Sequence, residues 1–280
     1  MMDIKSALNW AKNELTKTSE PDSSAMVLMS EITNLTRTEI MAHPEKILKT
    51  LELKKFKSLV KRRKAHESVW HIIGKVNFWG LDFFVNKNVL VPRPETEFLV
   101  EHVVNYVLAK NYQVNKILDM GTGSGTIAIS LGAEFPEINF VAVDKSPQAL
   151  VMARKNARYN KVKNIKFIKS DLFSNVAGKF DVICANLPYI PSPNIKSLAA
   201  DVHHYEPRLA LDGGERGVEI YERFFKNVGN HLSKKGVIFC EIGLNQGKEI
   251  KEIVKKYLPQ SKCMISKDLA EIDRIAIIKT

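Results

Sequence analysis

The 280-residue chain is poor in cysteine, poor in arginine for its charge, and lacks any long apolar run. Its three cysteines, Cys184, Cys240 and Cys263, lie far apart, each within an apolar strand-like stretch. An odd count without metal-ligand spacing excludes a disulfide framework and a cysteine metal site. Buried free thiols in a reducing cytoplasm are the expectation. No stretch of 18 or more apolar residues is present, which excludes a membrane-spanning helix. The opening Met1-Met2-Asp3-Ile4-Lys5 also lacks the apolar segment of a secretory signal.

The net charge of +11 invites a nucleic-acid reading. Of the 42 basic residues, however, 32 are lysines and 10 are arginines, and the lysines are spread along the chain. Guanidinium forks are what specific phosphate and guanine recognition requires. The dense cluster Lys54, Lys55, Lys57, Lys61, Arg62, Arg63 and Lys64 alternates with Leu51, Leu53, Phe56, Leu59 and Val60 at near-helical spacing. It reads as a solvated helix face; a docking face for an acidic or RNA-containing partner is the alternative. No aromatic-interleaved basic stretch or DNA-reading module accompanies it, which argues against direct nucleic-acid binding. A monomer is expected.

The spacing of apolar residues divides the chain. Residues 1–70 show helical periodicity at Ile4, Leu8 and Leu15 and at Ala25, Leu28, Met29 and Ile32, with further short helices at Thr38–Met41 and Glu45–Leu48. Strand-like runs follow at Val69–Ile73, Val76–Trp79 and Leu81–Val85, broken by Gly74 and Gly80, so 71–92 reads as a β-hairpin linker. From 93 to 280, strands and helices alternate. Strands are expected at 117–120, 139–143, 165–168, 180–185, 237–241, 263–265 and 274–278, and helices at 96–110, 124–134, 147–159, 218–232 and 246–257. That alternation predicts an α/β fold whose mostly parallel sheet is covered on both faces. The last two strands have no helix between them and should pair antiparallel.

Two constellations lie at strand ends of this sheet. Asp119-Met120-Gly121-Thr122-Gly123-Ser124-Gly125 follows a strand and opens a helix. Its G-x-G-x-G spacing departs from the G-x-G-x-x-G of a pyrophosphate-binding turn, while its glycines still permit close backbone approach to a ligand. Asp119 suits a cationic ammonium. Asp144 ends the next strand, where a carboxylate can accept both hydroxyls of a ribose. Asp171 and Leu172 end the third strand, near the place for an adenine: the carboxylate for its amine, the leucine for its ring. The second constellation is Asn186-Leu187-Pro188-Tyr189, after the strand 180–185. The Asn186 side-chain carbonyl and the Leu187 backbone carbonyl can accept both protons of a planar NH2 group, and Tyr189 can stack on it. Holding those protons favours the pyramidal nitrogen of a transition state. Together the two sites point to methyl transfer from S-adenosylmethionine onto a planar nitrogen, leaving S-adenosylhomocysteine.

These motifs, with Val89-Leu90-Val91-Pro92-Arg93-Pro94-Glu95-Thr96-Glu97 and Tyr205-Glu206-Pro207-Arg208-Leu209-Ala210-Leu211-Asp212-Gly213-Gly214, make the whole chain resemble the release factor glutamine methyltransferases (PrmC/HemK). The resemblance implies a class I, Rossmann-like methyltransferase domain with a seven-stranded sheet, preceded by a small helical substrate-recognition domain. It implies methylation of the N5 amide of the glutamine in the Gly-Gly-Gln motif of class-1 peptide-chain release factors. By motif, Gly121 to Gly125, Asp144, Leu172 and Asn186 would contact the cofactor, and Asn186 to Tyr189 the glutamine. Two residues depart from the family pattern. Leu187 replaces a proline, losing a fixed φ and gaining an N–H that needs a partner. Leu172 stands where many relatives carry an aromatic ring. The clamp motif is shared with adenine-N6 methyltransferases, the competing reading, and a non-catalytic protein docking on translation components is a third.

Overall fold

The computed structural model describes residues 2–110 and 113–280. It divides into two units, one made of Met1–Lys75 with Ser197–Glu206, the other of Val76–Lys196 with Pro207–Thr280. The excursion Ser197–Glu206 has no counterpart in the sequence-based division into 1–70, 71–92 and 93–280.

The first unit is helical. Ile4–Glu14 is capped by Asp3, whose carboxylate accepts from Ser6 N at 2.7 Å. Pro21–Thr33 starts with proline in the first turn, where no N–H is missed. Thr36 and Glu39 form a capping box ahead of Arg37–Ala42. Thr50–Lys64 packs Phe56 and Val60 against Ala7, Leu8, Leu28 and Met29 in one core. Three expectations are corrected here. Glu45–Leu48 is not a helix: Ile47 bridges to Asp3, and Leu48 N donates to Met2 O. Val69–Ile73 is a short helix, not a strand. Val69, Ile72 and Ile73 sit at i, i+3 and i+4 and face the helical core, and Gly74 closes the turn at φ 79°. Arg63, placed by the basic run on a solvated face, is 2% exposed. Its guanidinium donates to Ser24 Oγ, Glu67 O and Ser19, and pairs with Asp201 at 3.1 Å. Tyr205 Oη donates to Ala65 O. These bonds hold the returning helix Ala200–Tyr205 within this unit.

The second unit is built on a sheet whose strands, in chain order, are β1 Lys116–Met120, β2 Asn139–Asp144, β3 Ile165–Lys169, β4 Phe180–Ala185, β5 Leu232–Glu241, β6 Lys262–Lys267 and β7 Asp273–Lys279. Among the described residues these seven form one sheet in the order β3-β2-β1-β4-β5-β7-β6. β1 to β5 pair parallel, and β7 runs antiparallel between β5 and β6, as expected of a pair with no helix between. Helices Pro94–Ala109, Thr126–Glu134, Pro147–Tyr159, Glu219–Val228 and Gly247–Tyr257 cover the sheet. The helix expected to run to 232 stops at Val228, because Leu232 already pairs with Phe180 as the start of β5.

Register decides where the site lies. Met120 pairs with Val143 on one side and Ala185 on the other, and Ala185 pairs with Cys240. The carboxyl ends of four strands therefore form one edge, with Asp119, Asp144, Asn186 and Glu241 along it. Strand order reverses between β1 and β4, which opens a crevice there. A separate hairpin, Lys75–Phe78 with Leu81–Phe84, turns through Trp79 and Gly80, both at positive φ, in keeping with its two-residue loop. Asn156, fully buried, ties this hairpin to the glycine turn: its amide donates to Phe84 O and Ser124 O and accepts from Phe84 N. No helix among the described residues is long and apolar enough to cross a membrane.

Candidate active site

The turn after β1 is shaped by its backbone. Gly121, Gly123 and Gly125 have φ of 77°, 56° and 89°, conformations that L side chains rarely adopt. At Gly125 a Cβ would also meet Ile129 Cδ1 at 2.7 Å and the backbone of Ala153 at 3.3 Å. Asp144 lines the cleft beyond this turn and braces it, accepting from Gly123 N and Ser146 N at 2.8 Å each. Burial raises the pKa of Asp144 against those bonds.

Asp119 lies behind the turn. It is 1% exposed and is not part of the cleft wall. Its Oδ2 accepts from Thr122 Oγ1 at 2.6 Å and Ala128 N at 3.3 Å, so it braces the turn. Its Oδ1 is buried without a hydrogen-bond partner. Burial pushes this carboxyl up to about 7, outweighing the two bonds that favour its ionised form. Asp171 likewise spends its oxygens on protein cations, Lys145 and Arg223, each at 3.1 Å. Burial opposes its ionisation, and the two cations overcome that and hold its pKa low. Asp171 and Leu172 both line the cleft, Leu172 held in the left-handed region at φ 49°.

The cleft opens to solvent. It runs past the glycine turn, Asp144 and Leu172 to Asn186, Leu187 and Pro188, and Leu209 and Asp212 also line it. Open glycine backbone and a carboxylate at the end of β2 fit a nucleoside-bearing ligand.

Asn186 to Tyr189 are held by residues far away in the chain. Asn186 Nδ2 donates to Glu241 Oε2 at 2.8 Å and to Thr96 Oγ1 at 3.1 Å. Thr96 Oγ1 donates to the same Glu241 Oε2 at 2.7 Å. Tyr189 Oη donates to Glu241 Oε1 at 3.1 Å. The Leu187 N–H finds its partner in Tyr221 Oη at 3.3 Å, and Tyr221 in turn donates to the Glu241 backbone carbonyl. Gln246 Nε2 donates to Tyr189 O at 2.8 Å. Tyr189 does not line the cleft; burial and the nearby Glu241 carboxylate push its hydroxyl well above the ordinary range, so it stays protonated. Gly213 explains the second glycine-rich segment: a Cβ there would meet Pro188 O at 2.7 Å and Tyr189 Cα at 2.8 Å.

A methyltransferase small domain matches residues 94–201, and a PrmC N-terminal domain matches residues 6–74. A release factor glutamine methyltransferase of Thermodesulfovibrio yellowstonii is 38% identical over 224 residues, 80% of each chain. That of Streptococcus pneumoniae is 34% identical over 269 residues, 95% of each. The chain belongs to the release factor glutamine methyltransferase family. It is a methyltransferase. Among solved structures, the hMettl16 catalytic domain in complex with a MAT2A 3′UTR hairpin superposes with a TM-score of 0.58 at 16% identity, covering 83% of this chain and 82% of that one. That likeness concerns the fold.

Sequence reasoning brought together Gly121 to Ser124, Asp144, Asp171, Leu172 and Asn186 to Pro188, which the structure places on one cleft; Gly125 is not part of its wall. It missed Glu241, Tyr221 and Gln246, and it quoted Thr96 only as part of the family segment. Glu241 carried the same signal that marked Asp144, an acid ending a strand of the sheet. It lacks what singled out Asp144, a position roughly 20 residues beyond a glycine turn. The leucine of this family member at 187 has a buried side chain, 4% exposed, with Cδ2 only 3.0 Å from where a Gly121 Cβ would stand.

Proposed function

We propose that this methyltransferase uses S-adenosylmethionine to methylate the N5 amide of the glutamine in the Gly-Gly-Gln motif of class-1 release factors, in the cytoplasm. S-adenosylmethionine, when bound, supplies a methyl group activated by a sulfonium. The glycine turn, Asp144 and Leu172 would hold it, and Asn186 stands beside it on the cleft. The observation that carries the reading is the state of the Asn186 amide: both Nδ2 protons are committed to Glu241 and Thr96. Oδ1 is therefore left as an acceptor, as an incoming NH2 group requires. The Leu187 carbonyl supplies a second acceptor on a backbone that Pro188 biases toward extension. An amide nitrogen is a poor nucleophile because its lone pair is delocalised. Two acceptors preset for its protons stabilise the pyramidal nitrogen more than the planar one, and so act on the barrier.

The helical unit would recognise the body of the release factor. Lys54, Lys55 and Lys61 are exposed on its longest basic helix, in keeping with an acidic protein surface. Reversing the three to glutamate should raise KM for an intact release factor several-fold and leave affinity for S-adenosylhomocysteine unchanged. The decisive experiment incubates the protein with S-adenosylmethionine carrying a labelled methyl and an intact release factor, with DNA and RNA as controls. Mass spectrometry should find one methyl on the glutamine of Gly-Gly-Gln. Label on adenine instead would replace this reading with nucleic-acid methylation.

A further inference from the structure

We infer that Glu241 is a positioning residue that decides which end of the Asn186 amide faces the acceptor, a role that rests on the reaction proposed above. An asparagine amide has a donor end and an acceptor end of nearly equal shape, so its surroundings must choose between them. Here the choice is forced. Thr96 has one hydroxyl proton, and it goes to Glu241 Oε2 at 2.7 Å. The Thr96 oxygen and the carboxylate oxygen then both present lone pairs to Asn186, and Nδ2 meets them at 3.1 and 2.8 Å. Rotating the amide by half a turn would bring Oδ1 against the Glu241 carboxylate oxygen, a clash that turning the Thr96 hydroxyl cannot relieve, in a site where Glu241 is 1% exposed. Unpaired polar atoms are costly in such burial. With the donors fixed on Glu241, Oδ1 is left for substrate. The other carboxylate oxygen takes Tyr189 Oη, and the Glu241 carbonyl takes Tyr221, which holds the Leu187 N–H. One strand-end residue thus reaches three of the four clamp positions. Burial raises the pKa of Glu241, and three donors to its oxygens favour the ionised form that this chemistry needs.

The substitution E241Q tests the inference, because glutamine keeps the shape and supplies its own NH2. That donor can satisfy Asn186 Oδ1, so the inverted amide becomes tolerated and would present protons to the substrate's protons. kcat on an intact release factor should fall about 10²-fold, while affinity for S-adenosylhomocysteine changes less than about two-fold. A role in stability alone would not produce the next result. N186D should be nearly inactive beside Glu241, since two carboxylates would face one another. N186D/E241Q should recover at least about ten-fold over N186D, because the introduced glutamine can donate to the introduced aspartate and leave an acceptor for substrate. No gain in the double variant overturns the inference. A second measurement needs neither substrate nor a folded E241Q. In ¹⁵N-labelled wild-type protein, the Asn186 side-chain NH2, assigned by its loss in N186A, should show both protons protected from hydrogen exchange. Rapid exchange of both would overturn the inference even if the enzyme is active. If the wild-type protein leaves release factors unmethylated while those protons are protected, the proposed substrate fails and the role of Glu241 in orienting the amide stands.

Discussion

The glycine turn and the clamp lie at the ends of adjacent strands, yet they are held in place by opposite means. The turn is local. Its shape comes from three positive-φ glycines, and its carboxylate braces, Asp119 and Asp144, lie within 21 positions of the groups they hold, with Asn156 reaching Ser124 O from 32 positions away. The clamp is assembled from a distance. Asn186 is held by residues 90 and 55 positions away, Leu187 by one 34 away, and Tyr189 by residues 52 and 57 away. A local motif keeps its geometry wherever its strand and helix form. A clamp of this second kind exists only once β4, β5 and the helices Pro94–Ala109 and Glu219–Val228 have packed in register. Cofactor binding should therefore tolerate damage that abolishes transfer.

The sharpest way to break that contrast is at Asn186. Asn186→Ala should lower kcat by about 10²–10³, the scale for removing a preorganised polar group. Affinity for S-adenosylhomocysteine should fall far less, since the turn and β2 are untouched. Equal losses in both quantities, read by turnover and calorimetry, would dissolve the distinction between the two sites.

Asp144→Ala tests the other side. It removes a carboxylate from the cleft and the acceptor of Gly123 N at once. Binding of S-adenosylhomocysteine should weaken by about 1–3 kcal/mol, with kcat at saturating cofactor nearly kept. Unchanged calorimetric affinity would remove Asp144 from the cofactor site.

Leu187→Pro sharpens the comparison at one residue. Viewed from the motif alone, proline restores the family pattern and should leave activity equal or higher. The structure alters that expectation. The substitution deletes the bond from Leu187 N to Tyr221 and empties a buried side-chain site beside Gly121. Stability in denaturant should fall by about 1–3 kcal/mol, and kcat by less than about ten-fold, because the acceptor carbonyl remains. A variant as stable as the wild type would show that neither the bond nor the packing matters.

The smallest effect concerns Asp119. Its carboxyl is raised from 3.8 to about 7 by burial, so the folded chain holds this proton more tightly than the unfolded chain does. Its contribution to stability is therefore complete below about pH 4 and is lost as pH rises toward and through 7. Thermal melts should show Tm declining by a few degrees between pH 5 and 8. Asp119→Asn should flatten part of that decline while lowering Tm at pH 5, where the native carboxyl is mostly protonated. A slope identical to the wild type's would mean that other groups set the pH dependence.

Fold and site were legible to different depths. Apolar runs located all seven strands of the sheet to within a few residues: the central strands, buried on both faces, leave little room for polar side chains, and the edge strands β3 and β6 interleave half-buried apolar residues with exposed ones. In short elements tertiary packing outweighs local pattern. Val69–Ile73 has the β-branched composition of a strand, yet Gly74 and the helical core make it one turn of helix. Ile47 was drawn out of a helical pattern by pairing with Asp3. Arg63 looked like one more cation in a basic run, and the returning segment that pairs with it through Asp201 lies far along the chain.

From the sequence alone came the parallel sheet, the methyltransferase family, the glycine turn with Asp144, and the Asn186 clamp. Each is written in neighbouring residues or in a spacing that a strand or a turn imposes. Only the tertiary structure decided which way the Asn186 amide points, what partner the unexpected Leu187 N–H finds, and that Asp119 is buried behind the turn while Asp171 pairs with Lys145 and Arg223. Hydrogen-bond partners across a sheet depend on strand order and register. Those are settled when the whole core closes, and no stretch of sequence carries them locally.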